Sequence, residues 1–179
     1  MLARKKTLLL LSAVAANCAL TLGARADQTS FELKYYENWP GGKELAAHDY
    51  AAAIAVASSA RSVKDPLIAL IGSTNLCVAY TMTASFKEAS KSCDTAVTLA
   101  RQFDSPLTRS LSPDDAPSRT LSNRGVLRAL RGDVAGAASD LRAAGKSIGA
   151  SRLPARNLAH LETSPAYHDR VALTDSATD

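Results

Sequence analysis

Two stretches of the chain repeat one another. When Asn75 is aligned with Asn123, Cys77 falls on Gly125, Phe86 on Val134, Ala89 on Ala137 and Ala96 on Ala144. A repeat constrains the fold strongly. Each copy must be one supersecondary unit, too small to bury its apolar face alone, that stacks on its neighbour.

The local pattern says what the unit is. Lys43 to Ser62 reads as helical, with Asp49 as a start signal. Asp65-Pro66 gives a cap and a first-turn proline for an apolar helix that runs to Met82. A second helix is expected from about Ser85 to Gln102. Two more follow, about Arg119 to Leu130 and Asp133 to Ile148, divided by Gly132. Leu153, Leu158 and Leu161 suit one further short helix. Alanine is abundant, aromatics make up only 5% of residues, and no stretch alternates in the β-strand manner. The expected class is all-α.

Organisation follows from these elements. Residues 1–26 read as a signal peptide, and 27–42 as an aromatic lead-in (Phe31, Tyr35, Tyr36, Trp39) closed by Pro40-Gly41-Gly42. The helical domain spans 43–150 with a Pro/Ser loop at 103–117, and 151–179 form a partly disordered C-terminal extension. The lead-in packs on the first helix or stays loose; the sequence leaves both open.

Over roughly residues 43–148 the chain resembles the tetratricopeptide repeat. Asn123-Arg124-Gly125 through Gly132-Asp133 to Asp140-Leu141 carries the likeness, as does Asn75 to Ala96, and Asp49-Tyr50 with Ala53, Ala57 and Ala60 is similar to a second helix of another unit. Arg128 stands where an aromatic is usual, and no proline closes either unit. The copies are 48 residues apart instead of the family's ~34, an excess placed in the 103–117 loop. The resemblance implies antiparallel helical hairpins in a short solenoid of about two and a half repeats, with a curved face for an extended peptide or a partner protein. Thr74, Val78, Thr81, Ser122 and Val126 are the expected lining. Arg124 and Arg128, one turn apart, are the candidate anchors for an acidic peptide or chain carboxylate, unless Asp133, Asp140 or Asp114-Asp115 neutralise them.

The N-terminus sets compartment and charge. Arg4, Lys5 and Lys6 precede an uncharged run from Thr7 to Leu22, and Ala24-Arg25-Ala26 offers a cleavage point before Asp27. That order is a secretory signal, and the run is shorter than the ~20 residues that span a bilayer. Export to the periplasm or outside is expected. Acylation at Cys18 is the lipid-anchored alternative, disfavoured by the bulk of Asn17. The whole chain has 21 Lys+Arg against 17 Asp+Glu. Four of the basic residues and no acidic one lie in 1–26, so the mature chain of 153 residues (179 less 26) balances seventeen of each. A neutral chain lacks the footprint for nucleic acid.

No catalytic pattern is present. There is no Gly-x-Ser-x-Gly, Ser-x-x-Lys or Cys-x-x-Cys, and His48, His160 and His168 are scattered. The expectation is a non-enzymatic, exported binding protein without cofactor or metal. A small helical envelope enzyme or enzyme accessory with an unrecognised site is the other reading. Cys77 and Cys93 would lie on facing helices of one hairpin, and in an oxidising compartment would either bridge or remain buried thiols.

Overall fold

The structure is a computed structural model that describes residues 31–103, 115–147 and 149–167. The signal-peptide reading, Cys18, Asp114, His168 and the chain's last residues lie outside them.

The helices are α1 (Gly42–Ala46), α2 (Tyr50–Arg61), α3 (Pro66–Met82), α4 (Phe86–Gln102), α5 (Ala116–Leu130), α6 (Val134–Lys146) and α7 (Leu153–Glu162). No strand occurs among the described residues, and the class is all-α. The helical stretch from Lys43 divides at the expected start signal, Asp49, into α1 and α2. His48 takes a left-handed conformation (φ 58°) that breaks the helix, and the Asp49 carboxylate restarts it by accepting from the Ala52 N–H. Helix α5 begins three residues earlier than Arg119. Pro117 sits in its first turn, where a missing N–H costs nothing.

Each helix packs on the next, and α3, α5 and α7 also touch one another in sequence. They form one layer, with α4 and α6 behind it. Small residues permit the close approach within hairpins. A methyl on Gly125 of α5 would lie 2.8 Å from Leu141 Cγ of α6, well inside van der Waals contact. Cys77, Ala89 and Cys93 are fully buried with Leu127, which reaches across from α5 to join the α3–α4 unit to the next. Cys77 and Cys93 are bonded to each other, with their Cα atoms 4.7 Å apart. Helix α7, expected within a partly disordered extension, packs against α6 and α5, and buries Leu153, Asn157 and Leu161.

The lead-in is neither loose nor confined to the first helix. From a bend at Phe31, residues 32–36 run extended, without helix or turn, along the α3, α5, α7 layer. We call them the arm. Its exit is a tight turn: the Gly42 N–H donates to Trp39 O, and a Cβ on Gly42 would fall 2.0 Å from Tyr36 O. Only glycine fits there.

Candidate functional site

The most specific chemistry in the molecule is a row of three buried asparagines. Asn75 lies on α3, Asn123 on α5 and Asn157 on α7, each at most 1% exposed. A buried carboxamide must find partners for both its oxygen and its NH2. Here each finds the N–H and C=O of a single arm residue. Asn157 accepts from the Glu32 N–H (2.9 Å) and donates to Glu32 O (2.8 Å). Asn123 does the same with Lys34 (2.9 and 2.7 Å), and Asn75 with Tyr36 (2.9 and 3.2 Å). Asn75 also donates to Pro40 O at 2.9 Å, which pins the turn.

The spacing explains why this works. In extended chain the N–H and C=O of alternate residues point to the same edge, with a repeat of roughly 6.6 Å per two residues. One asparagine per helix of the layer meets every second residue. The row therefore holds the arm through its main chain alone. The arm runs against the order of the stack, from α7 back to α3.

Side chains of the arm add further contacts. Phe31 meets the His160 ring edge-on, 4.5 Å between centroids, and packs on the cluster around Leu141 and Leu161. Leu33 and Tyr35 pack against Leu45, Ala53, Val78 and Ala79. Glu32 pairs with Arg156 at 2.8 Å and Lys34 with Asp115 at 3.6 Å. Arg119 clamps the far end. Its guanidinium lies 4.0 Å over the Tyr36 ring, donates to Tyr35 O, and forks onto both oxygens of Asp115. Burial pushes the Tyr36 phenol well above its ordinary pKa, with Arg119 pulling the other way. Its hydroxyl has no partner among the described residues.

The residues singled out from the sequence sit behind this surface. Thr74, Val78, Thr81, Ser122 and Val126 are all at most 3% exposed. Thr74 and Thr81 spend their hydroxyls on the carbonyls of Leu70 and Cys77 within α3, and Ser122 Oγ accepts from Asn157. Val78 belongs to the cluster against which Leu33 and Tyr35 of the arm pack. None of the five forms an open lining in this structure.

Arg124 and Arg128 are on the other side of α5. Arg124 forks onto Asp140 (both bonds 2.8 Å) and reaches Asp94 at 3.0 Å; Arg128 meets Asp140 at 2.9 Å and Asp133 at 3.7 Å. Hydrogen bonding to Asp140 raises the Arg124 pKa, outweighing the partial burial that lowers it. Arg124, Arg128, Asp94 and Asp133 line a cleft of about 250 Å³ with Ser90, Leu127 and Arg131. Its lining carries three arginines against two aspartates, and Asp140, paired with Arg124 and Arg128, is the third acid beside them.

Asn75 and Asn123 stood out in the sequence only as markers of the repeat, and Asn157 did not stand out. The only trace of it in the sequence was its spacing: Asn157 lies 34 residues after Asn123. Among the described residues no helix is long and apolar enough to cross a membrane. No protein-family model, no curated protein and no solved structure matches this chain, so its function is argued from this geometry.

Proposed function

We propose that this is an exported, non-enzymatic, tetratricopeptide-like module that binds an extended segment of a protein through main-chain recognition by Asn75, Asn123 and Asn157. The observation that carries the reading is the arm itself. Three equivalent helices each hold the N–H and C=O of one residue of an extended chain. The arm is the resident occupant of a groove whose row of amides fits any extended backbone. A partner segment takes the arm's place, and the pairs at Arg156, Asp115 and Arg119 select which segments compete.

The repeat reading is supported by the 34-residue interval from Asn123 to Asn157 and by the hairpin order. Export is supported by the charged, apolar and small-residue order of residues 1–26 and by the buried Cys77–Cys93 bond, of a kind that persists outside the cytosol. Mass spectrometry of the released protein is expected to show a chain beginning at Asp27; an intact chain retained in the membrane fraction overturns cleavage.

Binding is tested by exchange. A protease site placed after Glu37 of the mature chain lets the arm be cut and leave. A fluorescent peptide copying residues 29–38 is then expected to bind saturably, and Asn123→Ala to weaken it tenfold or more, since two hydrogen bonds to one residue are lost together. A cut arm that no extended peptide replaces would sink the reading. Capture from cell envelopes with the cut protein identifies the natural segment.

A further inference from the structure

The arm has two edges, and the asparagines use one. Glu32, Lys34 and Tyr36 turn their N–H and C=O to the helices. The groups of Leu33 and Tyr35 turn the other way. Among the described residues the N–H and C=O of Leu33 and the N–H of Tyr35 have no hydrogen-bond partner, while Tyr35 O takes one from Arg119. Leu33 and Tyr35 are only partly buried. Unpaired backbone groups need water or another chain, and a free strand edge is a template for pairing.

The sequence along that edge says which chain. Phe31-Glu32-Leu33-Lys34-Tyr35 reads aromatic, acid, leucine, base, aromatic, and is symmetric about Leu33 except that the acid and the base exchange. Two such strands laid antiparallel with a twofold axis at Leu33 bring opposite charges together at both charged positions. Leu33 exchanges both N–H···O=C bonds with Leu33 of the partner subunit. The Tyr35 N–H donates to the carbonyl of Phe31 of the partner subunit, and the reverse. Glu32 faces Lys34 of the partner subunit, at a position between hydrogen-bonded pairs where side chains come closest. The Glu32 and Lys34 side chains, though paired within their own chain with Arg156 and Asp115, are 54% and 44% exposed and so within reach of a second strand. A parallel pairing, or an antiparallel one shifted by two residues, loses this match of charges.

We propose that the free edge of the arm is a homodimerisation surface, and that two copies of this chain join their arms as an antiparallel two-stranded ribbon centred on Leu33. The proposal goes beyond the groove reading and stands without it, because the arm stays in its own groove.

The test is a charge exchange. Sedimentation equilibrium of the mature chain from micromolar to millimolar concentration is expected to show a reversible dimer. Lys34→Glu puts Glu32 against a glutamate at both symmetric positions, and Glu32→Lys makes the matching pair of lysines. Each variant alone is expected to self-associate about tenfold more weakly or worse, and an equimolar mixture of the two to recover dimer as a heterodimer. Loss of a cis pair at Asp115 or Arg156 would not be repaired by mixing. Amide exchange on the native chain provides a readout that needs no variant. The Leu33 amide gains protection as concentration rises, while the amides of Glu32, Lys34 and Tyr36, held by asparagines, do not change. A monomer at millimolar concentration, a dimer that both variants form unchanged, or a Leu33 amide indifferent to concentration overturns the proposal. Failure of peptide exchange at the cut arm, by contrast, bears only on the groove.

Discussion

In the α3–α4 hairpin Cys77 is bonded to Cys93; 48 residues on, the α5–α6 hairpin has Gly125 and Leu141 at the same two places, and the leucine fills the space against the glycine. The difference continues around them. Arg124, Asp140 and Arg128 form a charged triad in the second unit, where the first has Leu76, Ser92 and Tyr80. The turn between helices repeats as well. The Ser85 N–H returns to Tyr80 O and the Asp133 N–H to Arg128 O, but the left-handed residue is Ala84 (φ 55°) in one and Gly132 (φ 79°) in the other. What the two units share is Asn75 with Asn123, Val78 with Val126, Ala89 with Ala137 and Ala96 with Ala144. The fastening of a hairpin is free to vary from covalent to ionic. The residues that face the arm, or that set how near the helices come, are not.

This contrast can be broken at each fastening. The largest effect is expected in the first hairpin. Cys77→Ala with Cys93→Ala removes a bridge across 16 residues, and should cost about 3 kcal/mol by freeing the unfolded chain. Chemical denaturation of the variant against the parent measures it, and reduction of the parent should reproduce the loss. In the second hairpin Asp140→Ala leaves Arg124 and Arg128 facing one another. Asp140 is only 7% exposed, but the arginine side chains are 16% and 33% exposed, so the cost should fall below the range for a fully buried pair, to roughly 2 kcal/mol. A loss equal to that of the disulfide would mean that the ionic fastening is no weaker than the covalent one. Ala84→Gly should stabilise, by roughly 0.5–1 kcal/mol, because the left-handed backbone strains alanine by more than glycine adds in unfolded-state entropy. Gly132→Ala should do the reverse, and a thermal melt of each reads the pair. Smallest of all, Glu162→Ala removes the Arg142 pair, both of whose members are 40% exposed or more, and should change stability by about 0.3 kcal/mol.

The hairpins were legible in the sequence because their signals are local. Asp65-Pro66 before an apolar run, Gly132-Asp133 between two helical patterns and alanines at helical spacing each act within a few residues. The placing of Cys77 and Cys93 on facing helices followed from the same spacing. The candidate site was harder to read because its parts are far apart in sequence. Glu32 is 125 residues from Asn157, and Lys34 is 89 from Asn123. No periodicity in Phe31-Glu32-Leu33-Lys34-Tyr35-Tyr36 says that it will lie on helices, and an asparagine inside a helix gives no sign of being buried. The basic residues told a partial story for a related reason. Arg124 and Arg128 do share a face, but Asp94, which closes one side of that face, comes from the neighbouring hairpin, and only the packing brings it there.

Stacked hairpins ordinarily touch only their neighbours, so a domain of this kind can fray from one end while the rest stays intact. The arm abolishes that independence. It is stitched to α3, α5 and α7 at once, so that losing α7 also loosens the anchorage of Tyr36 at the opposite end. The first described residues of the chain cannot settle until α7, the last of the described helices, has formed. Closing a loop of that length carries an entropic delay that no local helix shares. In a chain that emerges amino end first, folding finishes where synthesis began, and the arm becomes the latch that makes a row of separable units melt as one.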